Sequence, residues 1–151
     1  MKRQVNCPFC KLLAGDLSSR KIYENSATLS ILDIRPCVDG HCLVIPKRHV
    51  PHFYDLEDDE VAQLFKAVKS VAEMIKEAFN PDHVCIFSRG GRIPHAHIVV
   101  FPSMDGDELS GFPQSYSNKA KMNLDQVVER FHALIVNHKT LYNSPSPSDR
   151  R

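Results

Sequence analysis

One stretch restricts the architecture more than any other. Between about residues 57 and 79, Val61, Leu64, Phe65, Val68, Val71, Ala72, Ile75 and Phe79 recur at three- and four-residue steps. That spacing puts them on one face of a helix. Asp55, Asp58 and Asp59 crowd its start, where carboxylates suit the positive end of a helix dipole, and Asn80-Pro81 stops it. A long helix with one apolar face must be covered by another layer. The flanking segments offer a sheet. Residues 21–24, 28–32, 41–45, 83–87 and 95–101 read as short strands. Asn25-Ser26 forms the first turn, 36–40 a loop, and Pro46 the end of the third strand. A second helix is expected over 124–138, with Asn123 as N-cap. Residues 7–17 mix apolar and turn residues without a clear period, and 105–121 read as a polar loop. Short strands with two helices set apart from them predict an α+β fold. Its expected form is a largely antiparallel sheet of about five strands with one long and one C-terminal helix.

The 151 residues suffice for one domain, and a 42% hydrophobic content makes a packed core feasible. The domain is expected over residues 1–140. The Pro/Ser-rich residues 141–151 read as a disordered tail. Lys and Arg number 19 against 18 Asp and Glu. That balance opposes a nucleic-acid polymer as partner, which would be met by a basic excess. No apolar run reaches transmembrane length, so no membrane partner is expected. The start, MKRQVNCPFC, has no apolar stretch behind its charges and does not read as a secretory signal. Five cysteines, an odd count, oppose a disulfide framework and fit the cytoplasm.

Residues 94–102, Pro-His-Ala-His-Ile-Val-Val-Phe-Pro, are the most informative for chemistry. Alternation along a strand puts His95, His97, Val99 and Phe101 on one face, with Ala96, Ile98 and Val100 towards the core. Just before them lies Ser88-Arg89-Gly90-Gly91-Arg92. Gly-rich backbone brings N–H groups close to an anion, and guanidinium groups match phosphate. Two imidazoles beside such a loop fit phosphoryl chemistry or a metal, and equally fit two surface histidines on a half-exposed sheet. Cys7-x-x-Cys10 is a metal-ligand spacing, and alone it fits redox or structural roles as well.

Taken together, the chain resembles the histidine triad (HIT) superfamily of nucleotide hydrolases and transferases, in its zinc-binding, CxxC-containing bacterial type. The matching segments are Cys7-Pro-Phe-Cys10-Lys, Ile22-Tyr-Glu24, Leu32-Asp-Ile34-x-Pro36, Gly40-His-x-Leu-Val-Ile-Pro-Lys-x-His49 and Ile93-Pro-His-Ala-His-Ile98, closed by Pro102. They fall in the family's order. The family pattern His-φ-His-φ-His-φ-φ-Pro makes His95 the first position, His97 the second and Val99 the third.

The resemblance implies a nucleotide-conjugate hydrolase acting on a phosphoramidate or a dinucleoside polyphosphate. His97 would be the nucleophile, attacking the α-phosphorus to form a nucleotidyl-histidine that water then cleaves. A neutral imidazole is a competent nucleophile at pH 7 because its ordinary pKa is about 6.5. His41 would support His97. Asp33 would accept the ribose hydroxyls, and Phe9, Leu12, Ile31, Ile34 and Leu43 would line the base pocket. Cys7, Cys10, His49 and His95 would hold a zinc ion, and two thiolates with two imidazoles close a tetrahedron and make it structural. Cys37, Cys42 and Cys85 read as small buried residues. His52, His83, His132 and His138 receive no role. Family members commonly dimerise by continuing the sheet with the long helix at the interface, where Phe65 and Phe79 would serve.

Three positions depart from the family pattern. Val99 stands where the third His would, Gly91 where a Gln would, and the Asn before the Gly-rich loop has no counterpart. Arg92, with Arg89, is expected to supply the phosphate stabilisation that those side chains would otherwise give. The departures keep a second reading open, a non-catalytic nucleotide- and zinc-binding protein. A galactose-1-phosphate-type nucleotidyltransferase fits less well, since that branch carries Gln at the third position and a longer chain.

Overall fold

A computed structural model describes residues 6–88, 90–107 and 121–142, with side chains to residue 134 in the last segment. The elements in chain order are α1 (Pro8–Ala14), β1 (Lys21–Glu24), β2 (Thr28–Leu32), β3 (Cys42–Pro46), a 3-10 turn (Phe53–Asp55), α2 (Asp58–Phe79), β4 (His83–Phe87), β5 (Ile98–Ser103) and α3 (Leu124–Tyr142). The five strands form one antiparallel sheet in the order β1-β2-β3-β5-β4. The α+β architecture is as expected. Arg89, part of the 105–121 loop and residues 143–151 of the expected tail lie outside the described residues, as does the side chain of His138. Helix α3 continues to Tyr142, past its expected end at residue 138.

Both faces of the sheet are covered. On one side α2 buries Leu64, Ala67, Val68, Val71, Met74 and Ile75 against Val44, Ile98 and Val100. Glu57 caps α2, its backbone N–H bound by the Glu60 carboxylate at 2.9 Å, and Asn80 ends it at φ 46°. Ala67 and Met74 join the core, whereas Phe65 is 37% exposed. Phe79 packs on Phe131, ring centroids 5.7 Å apart.

On the other face α1 seats Phe9 and Cys10 among Leu29, Ile31, Leu43 and Ile45. This seven-residue helix had no sequence expectation, because two turns are too short to show a period. Its ends are nonetheless specified. Pro8 pre-sets the first turn, the Cys7 sulfur accepts the Cys10 N–H at 3.5 Å, and Gly15 closes it at φ 85°. Strands β2 and β3 are buried along their whole length because they lie between the two layers.

Two strands differ from expectation at both ends, β5 also running on to Ser103 rather than ending at 101. Strand β3 spans Cys42–Pro46 rather than 41–45, a shift of one residue. Strand β5 starts at Ile98, so His95 and His97 precede it rather than belong to it. The ladder between β3 and β5 runs from Cys42↔Val100 to Val44↔Ile98. The next pair in that register, Ile45 with His97, is not formed. The incoming chain binds elsewhere, with the His95 N–H on Ile93 O at 2.8 Å and the Ala96 N–H on Val50 O at 2.7 Å.

Candidate functional site

The two cysteines and two of the histidines converge. Cys7 Sγ lies 3.3 Å from His95 Nδ1, and Cys10 Sγ lies 3.3 Å from His49 Nδ1 and 3.7 Å from His95 Nδ1. The two Nδ1 atoms are 3.2 Å apart, and all four donor atoms fall within 4.8 Å of one another. Ligands on a tetrahedral zinc ion are separated by roughly 3.3–3.8 Å, given its bond lengths to nitrogen and sulfur. The spacing therefore fits such an ion. The protonation pattern fits as well. His95 donates its Nε2–H to the Pro46 carbonyl at 2.9 Å, which leaves Nδ1 as a lone-pair donor. Burial pushes the His95 imidazole down to about 4, against the raising effect of that bond, so it is neutral at pH 7. The cluster forms because α1 carries both thiols to the sheet face where β3 ends and β5 begins.

His97 stands next to this cluster. Its Nδ1–H donates to the His95 carbonyl at 2.8 Å, so Nε2 carries the lone pair. Phe9 sets a ring edge-on against it, with centroids 5.3 Å apart. His97 also lines a cleft of about 100 Å³, together with His52, Tyr54, Ser88, Gly90 and Ala96. Ser88 donates its hydroxyl to His97 O at 3.2 Å and ties down the far side of the loop.

His41 lies elsewhere. It immediately precedes Cys42, which pairs with Val100. That places it beside Phe101, roughly 13 Å of strand from His97, and its ring meets Phe101 at 6.1 Å. The structure does not bring His41 against His97. Its Nδ1 accepts the Cys37 N–H at 3.1 Å, so Nε2 bears the proton and is buried without a hydrogen-bond partner. Asp33 Oδ2 is 3.6 Å away, beyond hydrogen-bond reach. Burial lowers the His41 pKa, with the Asp33 charge opposing part of the effect. Asp33 uses Oδ1 to accept the Arg35 N–H at 2.8 Å and keeps lone pairs to spare.

The residues expected to line a base pocket divide. Phe9, Leu12, Ile31, Leu43 and Val99 do form one cluster. Phe9, Ile31 and Leu43 are buried in it and pack as core rather than as an open wall. Ile34, at 75% exposure, stands outside it in the turn after β2. Arg92 is exposed before β5 and is not among the residues lining the cleft at His97. Of the spare cysteines, Cys37 and Cys42 are buried and Cys85 is half-buried.

His52, given no role by the sequence, lines the cleft beside His97. The signal was present in its three-residue spacing from Asp55, but a His-x-x-Asp pair is common in turns and says nothing about which cleft it faces.

A chain with this sheet, this thiol–imidazole cluster and a histidine on the cleft beside it belongs to the HIT domain family, whose model matches residues 14–106. It is 37% identical over 102 residues to Protein hit of Bacillus subtilis, covering 64% of this chain and 70% of that protein. It is 35% identical over 116 residues to adenosine 5'-monophosphoramidase hnt1 of Schizosaccharomyces pombe, covering 72% and 84% of the two chains. Among solved structures it is similar to a Zn-bound histidine triad family protein from Mycobacterium smegmatis. The TM-score is 0.77 at 28% identity, over 90% of this chain and 97% of that one.

Proposed function

We infer that this protein hydrolyses nucleotide conjugates at the α-phosphate, of the nucleoside phosphoramidate or dinucleoside polyphosphate type, through a nucleotidyl-His97 intermediate. The observation that carries this reading is the 2.8 Å bond from His97 Nδ1–H to His95 O. It fixes the tautomer in which Nε2 carries the lone pair, as a nucleophile requires, and His97 lines a cleft. The relationship to a monophosphoramidase supports the same chemistry. Nε2 attacks phosphorus as the leaving group departs, and water attacks the nucleotidyl-imidazole in the second step.

Cys7, Cys10, His49 and His95 would hold a structural zinc ion, fixing α1 and the His95 backbone. Four protein ligands would leave such an ion no open position for substrate. Asp33 binds the ribose, and His41, buried behind it with Nε2 3.6 Å from Asp33 Oδ2, supports the site from within. Leu12, Val99 and the exposed Ile34 serve the base side, backed by the buried Phe9, Ile31 and Leu43. Arg92 supplies positive charge to the phosphate. The exposed edge strand β4, with Ile86 at 53% exposure, suits a homodimer that continues the sheet. Among the described residues no helix is long and apolar enough to cross a membrane, and the free thiols suit the cytoplasm.

Val99 favours a second reading, nucleotide binding without turnover, because an aliphatic side chain gives no hydrogen bond to a phosphate oxygen. An adenosine 5'-phosphoramidate and a dinucleoside polyphosphate, each incubated with the protein and with its His97→Ala variant, separate the two. Turnover lost with His97 supports hydrolysis. Nucleotide binding with no turnover of either substrate supports the second reading.

A further inference from the structure

A leaving amine needs a proton, since nitrogen departs from phosphorus as a neutral amine and not as an amide anion. The third histidine, a natural place to look for a proton donor, is Val99 here. Among the described residues lining the cleft, His52 is the one imidazole besides His97; Tyr54 and Ser88 offer only hydroxyls.

His52 is held as an acid–base group is held. Asp55 Oδ2 accepts its backbone N–H at 3.0 Å and lies 3.2 Å from its Nδ1. A carboxylate accepts and does not donate, so Nδ1 carries the proton and Nε2 is the atom left to exchange one. The Tyr54 ring stacks on the imidazole at 4.8 Å with planes 5° apart and sets its tilt. Its Cδ2–Nε2 edge faces the glycine loop. A methyl group at Gly90 would lie 2.9 Å from His52 Cδ2 and 3.3 Å from Nε2. His52 Nε2 makes no hydrogen bond among the described residues. A residue whose only task was to close the Phe53–Asp55 turn would not need its ring edge on the cleft that holds His97.

We propose that His52, oriented by Asp55, is the general acid that protonates the leaving group of this enzyme and then the base that activates water. The proposal rests on the reading of His97 as nucleophile. In the first step the His97 Nε2 lone pair forms a bond to the α-phosphorus. The bond from phosphorus to the amine nitrogen breaks, its electron pair goes to nitrogen, and the His52 imidazolium gives that nitrogen its Nε2 proton. In the second step a water oxygen bonds to phosphorus as the His97–phosphorus bond breaks. The proton lost by water returns to His52 Nε2, which restores the imidazolium. Asp55 is a positioning residue that keeps Nδ1 protonated throughout.

The test compares two leaving groups. An alkylamine phosphoramidate of adenosine 5'-monophosphate needs a proton to leave, whereas a p-nitrophenyl ester of the same nucleotide leaves as a stable anion. For His52→Gln, kcat/KM for the amidate should fall by about 100-fold or more, and that for the ester by less than about fivefold. Asp55→Asn keeps an oxygen for the backbone N–H of His52 and should show the same split, smaller in size. Equal losses on both substrates, or none, would overturn the role of His52 while leaving His97 as nucleophile. Wild-type protein that turns over neither substrate would overturn the nucleophile reading and this proposal with it.

Discussion

The Nδ1–H of His97 donates to the carbonyl oxygen of His95 at 2.8 Å. His95 in turn points its own Nδ1 at Cys7 Sγ, 3.3 Å away. One residue thus shares its side chain with the thiol–imidazole cluster and its backbone with the neighbouring imidazole. Whatever fixes the His95 ring also fixes the acceptor that selects the tautomer of His97.

A zinc ion held by that cluster would therefore act on the chemistry without touching it directly. Cys7→Ser should lose the zinc expected at one ion per chain, and kcat should fall by about tenfold to 100-fold, the range seen when the supports of a site are removed. Metal analysis of dialysed protein beside kcat for a phosphoramidate checks both. A variant that keeps full zinc and wild-type kcat would remove the assignment.

The contact of Gly40 with Phe79 predicts a graded loss of stability. Gly40 sits at φ +86°, where an L side chain costs about 1–2 kcal/mol. A Cβ there would also lie 2.8 Å from Phe79 Cε2, and that ring is boxed by Phe131 and by the Arg130 guanidinium 5.4 Å from its centroid. Gly40→Ala should cost about 1–3 kcal/mol beyond the backbone term. Gly106 has φ +76° with nothing within 4 Å of a new Cβ, so Gly106→Ala reports the backbone term alone. Urea unfolding of the two variants gives the difference.

Acid should destabilise the protein partly through His41. Its pKa is held below the ordinary 6.5 by burial, Asp33 opposing. Below pH 6.5 the unfolded chain binds a proton at this residue that the folded chain resists, so stability present above 6.5 is lost as pH falls towards the folded pKa. His41→Gln can still accept the Cys37 N–H and does not titrate. Between about pH 8 and about pH 5.5 its urea midpoint should fall less steeply than that of the wild type. Parallel slopes would contradict the assignment.

The long-period features were legible in the sequence, and the short-range ones were not. Helix α2 was readable because eight apolar positions repeat over six turns, and the convergence of Cys7, Cys10, His49 and His95 because they stand in motifs that resemble the family's. The start of β5 was misplaced because alternation cannot tell that the segment before Ile98 bonds away from the sheet, with the Ala96 N–H on Val50 O. Helix α1 escaped because its signals are caps rather than a period. The distance between His41 and His97 depends on strand register, which no local pattern encodes. His52 escaped because facing the cleft is a property of the Phe53–Asp55 turn and the Gly90 backbone together.

The central claim, that His97 Nε2 takes the nucleotide from the substrate, is tested most directly by trapping the intermediate. Acid-free quenching of the protein during turnover of an adenosine phosphoramidate, followed by peptide mass spectrometry, reads it. The expected result is one adenylyl group on the peptide holding His97, located on that residue and missing from His97→Ala. Turnover with the adenylyl group on another residue, or undiminished turnover by His97→Ala, would contradict it.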